Sequence, residues 1–260
     1  MGALVADAAG LSLLWVYNDA DVIKAVSANP SKPEFLVPSS NPFYRIPYGS
    51  SSHYGDHILP VLRSIAQSKD FDPADCAEKL YQTFGPQSKY HREDTGKVTY
   101  PIDTGYSNSL VKRFLELFSQ GKSVADITDD RLNNPDYIGR TIAPVLKWAG
   151  SPELQSKVEQ SVLLMQSNDM VLSIAGVTSR LIEMYILDKG GDQGYLHTLV
   201  NTLKTAPDIP QDQRDLVPMI QEVIDAQNLS VKDATVKFGK ACGLPGSFKS
   251  ALRSLLDDAS

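Results

Sequence analysis

The chain has 260 residues, room for one large domain or two small ones, and 42% of them are hydrophobic, enough to bury a sizeable core. Its 25 lysines and arginines stand against 31 aspartates and glutamates, a net charge of −6, so no basic face is on offer to nucleic acid. Two cysteines, Cys76 and Cys242, are too few for a disulfide framework or a cysteine zinc site and fit a reducing, cytoplasmic setting.

Gly2 to Tyr17 reads as a helix that is apolar nearly all round, with Leu4, Val5, Ala8, Leu11 and Trp15 at helical spacing. A helix of that kind is expected in the middle of a domain. Asp7 stands out on it. A carboxylate in a core needs a partner, a hydrogen bond or a metal. The alternative is that it lies within the first turn and faces the favourable end of the helix dipole. The segment has no basic start and is interrupted by Asp7, so it does not read as a leader peptide. No apolar run reaches the roughly 20 residues needed to span a bilayer, so no membrane partner is expected.

Asn29 to Gly49 holds five prolines, at 30, 33, 38, 42 and 47, and predicts a long ordered loop. Loops of that length in compact domains often carry function. This one leads into Ser51-Ser52-His53-Tyr54-Gly55-Asp56-His57, which opens an amphipathic helix from Ile58 to Ala66. Two imidazoles, a carboxylate, a phenol and two hydroxyls meet beside one glycine here. Two readings stay open: a candidate site, or a helix cap in which side-chain oxygens accept the free backbone N–H groups. His53 and His57 are four apart, a zinc spacing on a helix, but Gly55 between them and the lack of a third ligand nearby argue against zinc.

Asp72-Pro73 predicts the start of the next helix, with Cys76, Ala77, Leu80, Tyr81 and Phe84 on its buried face and Gly85-Pro86 at its end. Gln87 to Asp103 is polar without a period and reads as a loop with an exposed His91. From there the pattern is helix upon helix. Leu110 to Phe118 come first, then a helix opened by Asn134-Pro135, another restarted by Ser151-Pro152, and a polar break at Gln166-Ser167-Asn168-Asp169. A long buried helix follows over Val171 to Tyr185. Gly190-Gly191-Asp192-Gln193-Gly194 resembles an anion loop, but a helix end and turn explain it. Ser230 and Ser247 predict the caps of two late helices. No alternating strand pattern stands out, so an all-α domain of about ten helices is expected.

The chemistry that can be assembled from these residues is that of hard oxygen ligands. Asp7 and Asp56, with Gln166, Asn168 and Asp169 as further donors, suit magnesium better than zinc.

The stretch Gly2-Ala-Leu-Val-Ala-Asp7-Ala-Ala-Gly10 resembles the first helix of the ADP-ribosylglycohydrolases, which commonly read Gly-Ala-x-x-Gly-Asp-Ala-x-Gly there. Within that superfamily the chain is most similar to the J-crystallin branch, which joins that opening to a Tyr-Gly-Asp stretch and a Leu-Arg-Ser helix. Here these are Tyr54-Gly55-Asp56 and Leu62-Arg63-Ser64. Further matches are Asn41-Pro42-Phe43-Tyr44, Phe71-Asp72-Pro73 with Phe84-Gly85-Pro86, Gln166 to Asp169, and Phe238-Gly239 with Cys242 to Pro245.

The resemblance implies a compact all-α orthogonal bundle over residues 1–260. It implies enzymes that use two magnesium ions to hydrolyse ADP-ribose linkages. Their first metal motif, Thr-Asp-Asp-Thr, maps onto Tyr54-Gly55-Asp56-His57, so Asp56 is the ligand retained and Asp7 a second candidate. Gln166 falls where related hydrolases often carry histidine. The family's late Asp-x-Asp-Thr motif is expected beyond the segment matching Leu252 to Leu256, and the sequence ends at Ser260 before it. The resemblance therefore implies a degenerate magnesium and nucleotide pocket. His53, Tyr54, Gly55, His57 and Asn168 are candidate contacts for an ADP-ribose-like small molecule. Three outcomes are compatible with it: weak or lost hydrolysis with a retained pocket, a purely structural crystallin-type protein, or an active magnesium-dependent hydrolase.

Overall fold

A computed structural model describes residues 1–92, 97–189 and 194–256. Among the described residues the regular structure is helical, and the only β pairings are two isolated bridges, Tyr44 with Ile102 and Asp129 with Gln166. The all-α expectation therefore holds. No helix among the described residues is long and apolar enough to cross a membrane. The chain divides into two compact units, Met1–Thr128 and Asp129–Ser260.

The first unit begins with α1 (Gly2–Gly10), a 3₁₀ turn (Leu11–Leu13) and α2 (Asp19–Ser27). After the proline-rich loop a second 3₁₀ turn (Gly55–His57) runs directly into α3 (Ile58–Ser68), followed by α4 (Pro73–Phe84), α5 (Ser109–Ser119) and α6 (Val124–Ile127). Asp72 caps α4 by accepting from the Ala74 and Asp75 N–H groups, with Pro73 at the first helical position. Asn108 caps α5 by accepting from Val111 N. The α3, α4 and α5 helices bury Val61, Cys76, Leu80, Phe84, Val111 and Phe114 against one another.

Two expectations for the start of the chain fail. The helix ends at Gly10 instead of continuing to Tyr17, and Trp15 takes a left-handed backbone (φ 63°). Nor is it central: Ala8 is its only buried residue, and Val5 is 51% exposed. The apolar look came mainly from Ala and Gly, which have little surface to hide, so burial on every side gains little. Helix α2 is carried by Asn18, whose side chain accepts from Ala20 N, with Asp19 and Asp21 in the first turn.

The second unit holds α7 (Tyr137–Trp148), α8 (Leu154–Val162), α9 (Asp169–Ile186), α10 (Tyr195–Thr205), α11 (Gln211–Arg214), α12 (Val217–Asp225), α13 (Val231–Phe238) and α14 (Gly246–Ser254). Helices α7, α8 and α9 pack mutually through Val145, Val158, Val162, Ile174 and Val177. Helix α12 joins α10 to α14 through Leu199, Leu203, Ile220 and Val223. Ser230 caps α13 as its spacing predicts, accepting from Asp233 N. Ser247 does not cap α14: it lies inside a helix that begins at Gly246. Cys242 is half-buried between α13 and α14, not on a helix face, because Gly239 with φ 106° ends α13 before it. The glycine-rich segment 190–193 lies outside the described residues. Gly194, with φ 82°, is the residue before α10.

Candidate functional site

The stretch Ser51 to His57 folds as a tight turn around two oxygens. Ser52 Oγ accepts from Tyr54 N (3.1 Å) and Gly55 N (3.4 Å), so the hydroxyl organises the 3₁₀ turn as a cap does. Asp7 reaches the same turn from α1. Its carboxylate accepts from Ser52 N at 2.7 Å and from Ser52 Oγ at 2.5 Å. Gly55 makes the approach possible. A Cβ there would lie 2.7 Å from Asp7 Cγ and closer still to Oδ2, an overlap real side chains do not show. Burial, then the neighbouring charge of Asp56, holds the Asp7 carboxyl above its ordinary value, against the pull of the hydrogen bonds from Ser52.

Asp56 faces a different pair of groups. Its Oδ2 accepts from the Tyr90 hydroxyl at 2.5 Å and lies 2.6 Å from the Lys89 ammonium. Lys89 Nζ also reaches Ser51 O at 3.5 Å and lies 5.6 Å from the Tyr90 ring centre. Burial, then the charge and hydrogen bond of Asp56, pushes the Tyr90 phenol well above its ordinary value, so it stays a donor. Tyr44, 2% exposed, is raised in the same direction by burial and by the charges of Asp7 and Asp56. Lys89 and Tyr90 come from a loop without periodicity, so no sequence pattern marks them. Their adjacency to Asp56 arises only from folding.

The two histidines are buried core residues. The His53 ring packs 3.8 Å from Tyr54 and 5.2 Å from Trp15, and His57 sits 4.7 Å from Phe84. Asn108 reaches His53: its Oδ1 accepts from Val111 N, and its Nδ2 lies 3.2 Å from His53 Nε2. Trp15 centres a ring cluster with Phe43 (5.1 Å), Tyr106 (5.1 Å) and Tyr44 (6.0 Å).

Beside Asp56 the first unit opens a cavity of about 430 Å³. Phe84, Tyr90, Tyr100 and Tyr106 supply aromatic walls, and Arg92 and Lys112 supply positive charge. Tyr90 is shared: one part of it lines the cavity and its hydroxyl holds Asp56. Lys112 Nζ lies 5.8 Å from the Tyr106 ring centre.

Asn168 belongs to the second unit, where it caps α9. Its Oδ1 accepts from Val171 N at 3.3 Å and its Nδ2 donates to Asp130 O at 2.8 Å. Gln166 is fully buried and structural. Its Oε1 accepts from Arg140 Nη2 at 2.6 Å, and its Nε2 donates to Leu132 O (3.2 Å) and Asn134 O (3.0 Å). Burial lowers the enclosed Arg140 guanidinium to about 10, with Asp136 pulling the other way.

Two magnesium ions would need several free carboxylate oxygens from different elements. Among the described residues no group of three or more histidines, cysteines, aspartates and glutamates is placed to hold a metal. Asp7 is engaged by Ser52, and Asp56 already has an ammonium on its oxygen. Among the described residues the donor set does not fit the magnesium pair.

The fold and site define an all-α protein with a buried acid turn and an aromatic cavity beside it. No family model matches the chain. Crystallin J1A of Tripedalia cystophora is 31% identical over 254 residues, covering 97% of this chain and 74% of that protein. Crystallin J1B of the same animal is 29% identical over 259 residues, covering 98% and 75%. The chain belongs to the J-crystallin family.

Proposed function

We propose that this J-crystallin is an ADP-ribosylglycohydrolase-like protein that keeps a pocket for a nucleotide-like ligand and has weak or no hydrolysis. The observation that carries the reading is the cavity beside Asp56. The aromatic rings of Phe84, Tyr100 and Tyr106 suit a planar base, and Arg92 and Lys112 suit phosphate. ADP-ribose combines the two. The motifs at Asp7 and at Tyr54 to Asp56 support the kinship, and the engagement of both carboxylates supports the loss of chemistry. A cytoplasmic setting is part of the same reading, supported by two free thiols.

The test is the thermal midpoint of the wild type and of Tyr106→Ala with added ADP-ribose, alongside release of free ADP-ribose from a modified protein. The wild type is expected to be stabilised, since a ligand stabilises the state it binds. Tyr106→Ala is expected to lose most of that shift, and no ADP-ribose is expected to be released. Release that disappears in Asp56→Asn would establish an active hydrolase instead. A second reading, a structural protein with no ligand, is favoured by the name crystallin that both relatives carry. It predicts no midpoint shift in either variant.

A further inference from the structure

We propose that Lys89 is the resident cation of the acid turn: its ammonium holds Asp56, and the site stands without a divalent metal. The inference uses the kinship with metal-dependent hydrolases only to say what was replaced; it does not depend on ADP-ribose binding. Three features of the structure lead to it. Gly55 stands where the metal motif has its first aspartate, and the volume of a side chain there is filled by the Asp7 carboxylate. That carboxylate has turned inward, with Ser52 N and Ser52 Oγ on its oxygens. Asp56 faces the loop, and its oxygen carries the Lys89 ammonium at 2.6 Å and the Tyr90 hydroxyl at 2.5 Å.

The arrangement is coherent as a set. A divalent ion approaching Asp56 Oδ2 would meet the Lys89 ammonium at the same oxygen and be repelled by it. A carboxylate at position 55 would have to expel Asp7 from the turn. Lys89 is further held by Ser51 O and lies near the Tyr90 ring, so its position does not depend on Asp56 alone. The monovalent ammonium matches the one carboxylate it meets, as a magnesium pair matches several.

Two experiments on the intact chain test this. Manganese added to the wild type is followed by electron paramagnetic resonance. The expected result is a free-ion signal undiminished by the protein at equimolar concentration. A stoichiometric loss of that signal, restored in Asp56→Asn, would overturn the proposal. Amine labelling with limiting acetic anhydride, read by mass spectrometry, reports Lys89 directly. Lys89 is expected to react several-fold more slowly than the exposed Lys69, and to speed up several-fold in Asp56→Asn. Equal reactivity of Lys89 in the wild type and in Asp56→Asn would show that the pair does not form. Neither readout involves ADP-ribose, so failure here and failure of ligand binding are separable.

Discussion

Gly55→Ala tests the packing of the acid turn, and its sign is informative. Gly55 does not lie in the left-handed region, so the backbone alone would accept alanine. Such a change ordinarily stabilises by about 0.4–1 kcal/mol through the unfolded state. Here the added methyl meets the Asp7 carboxylate, with Cγ at 2.7 Å, and Ser51 Cβ at 3.1 Å. Asp7 must leave the turn, and its hydrogen bonds from Ser52 N and Ser52 Oγ go with it. Bonds to a charged acceptor are worth about 1.5–3 kcal/mol each, and water recovers part of that at a half-buried site, so we expect a net loss of roughly 2–3 kcal/mol. In a chain of this size that lowers the thermal midpoint by roughly 4–12 °C. The assay is urea unfolding followed by the fluorescence of Trp15, whose ring lies 5.2 Å from His53 in the same turn. In an Asp7→Ala background the methyl no longer meets a carboxylate and keeps only the Ser51 Cβ contact, so Gly55→Ala is expected to cost much less than in the wild type. Alanine tolerated in the wild type, or equally costly in both backgrounds, would refute the reasoning.

Three further outcomes are expected. The raised Asp7 carboxyl binds its proton in the folded chain at a higher pH than in the unfolded chain. Its contribution to stability is therefore full below the ordinary carboxylate value and is lost as pH rises through the folded value. Thermal midpoints of wild type and Asp7→Asn, measured from about pH 7 down to about pH 4, should shift relative to each other in favour of the wild type. Gln166→Leu strips Arg140, which is 0% exposed, of its amide partner and should cost about 2–3 kcal/mol in urea unfolding read at Trp148. Arg214 donates to the carbonyls of Leu203, Lys204, Ala206 and Ile209 around the end of α10, and Arg214→Met should cost about 2–3 kcal/mol by the same assay.

What could be read from the sequence was local. Asp72-Pro73 and Ser230 predict helix starts because a cap is a contact within three residues, and both caps form. The polar break at Asn168 is likewise a cap. Asp7 and Asp56 lie at the same turn, Asp7 bonded to Ser52 and Asp56 near enough for its charge to raise the Asp7 carboxyl. The first helix was misjudged because Ala and Gly score as apolar yet have little area to bury, and α1 is largely exposed. Lys89 and Tyr90 were invisible for a different reason. They sit in an aperiodic loop, and only the approach of residues 85–92 to the turn gives them Asp56 as a partner. His53 and His57 illustrate the reverse, a ligand-like spacing that folding spends on core rings.

The cavity beside Asp56 is proposed to take a nucleotide-like molecule. Isothermal titration of the wild-type chain with ADP-ribose, without added magnesium, tests it most directly. One saturable site is expected, weakened roughly ten- to hundred-fold in Tyr106→Ala by the loss of one stacking surface. Absence of heat at the highest attainable ligand concentration, or binding that Tyr106→Ala leaves unchanged, would contradict it.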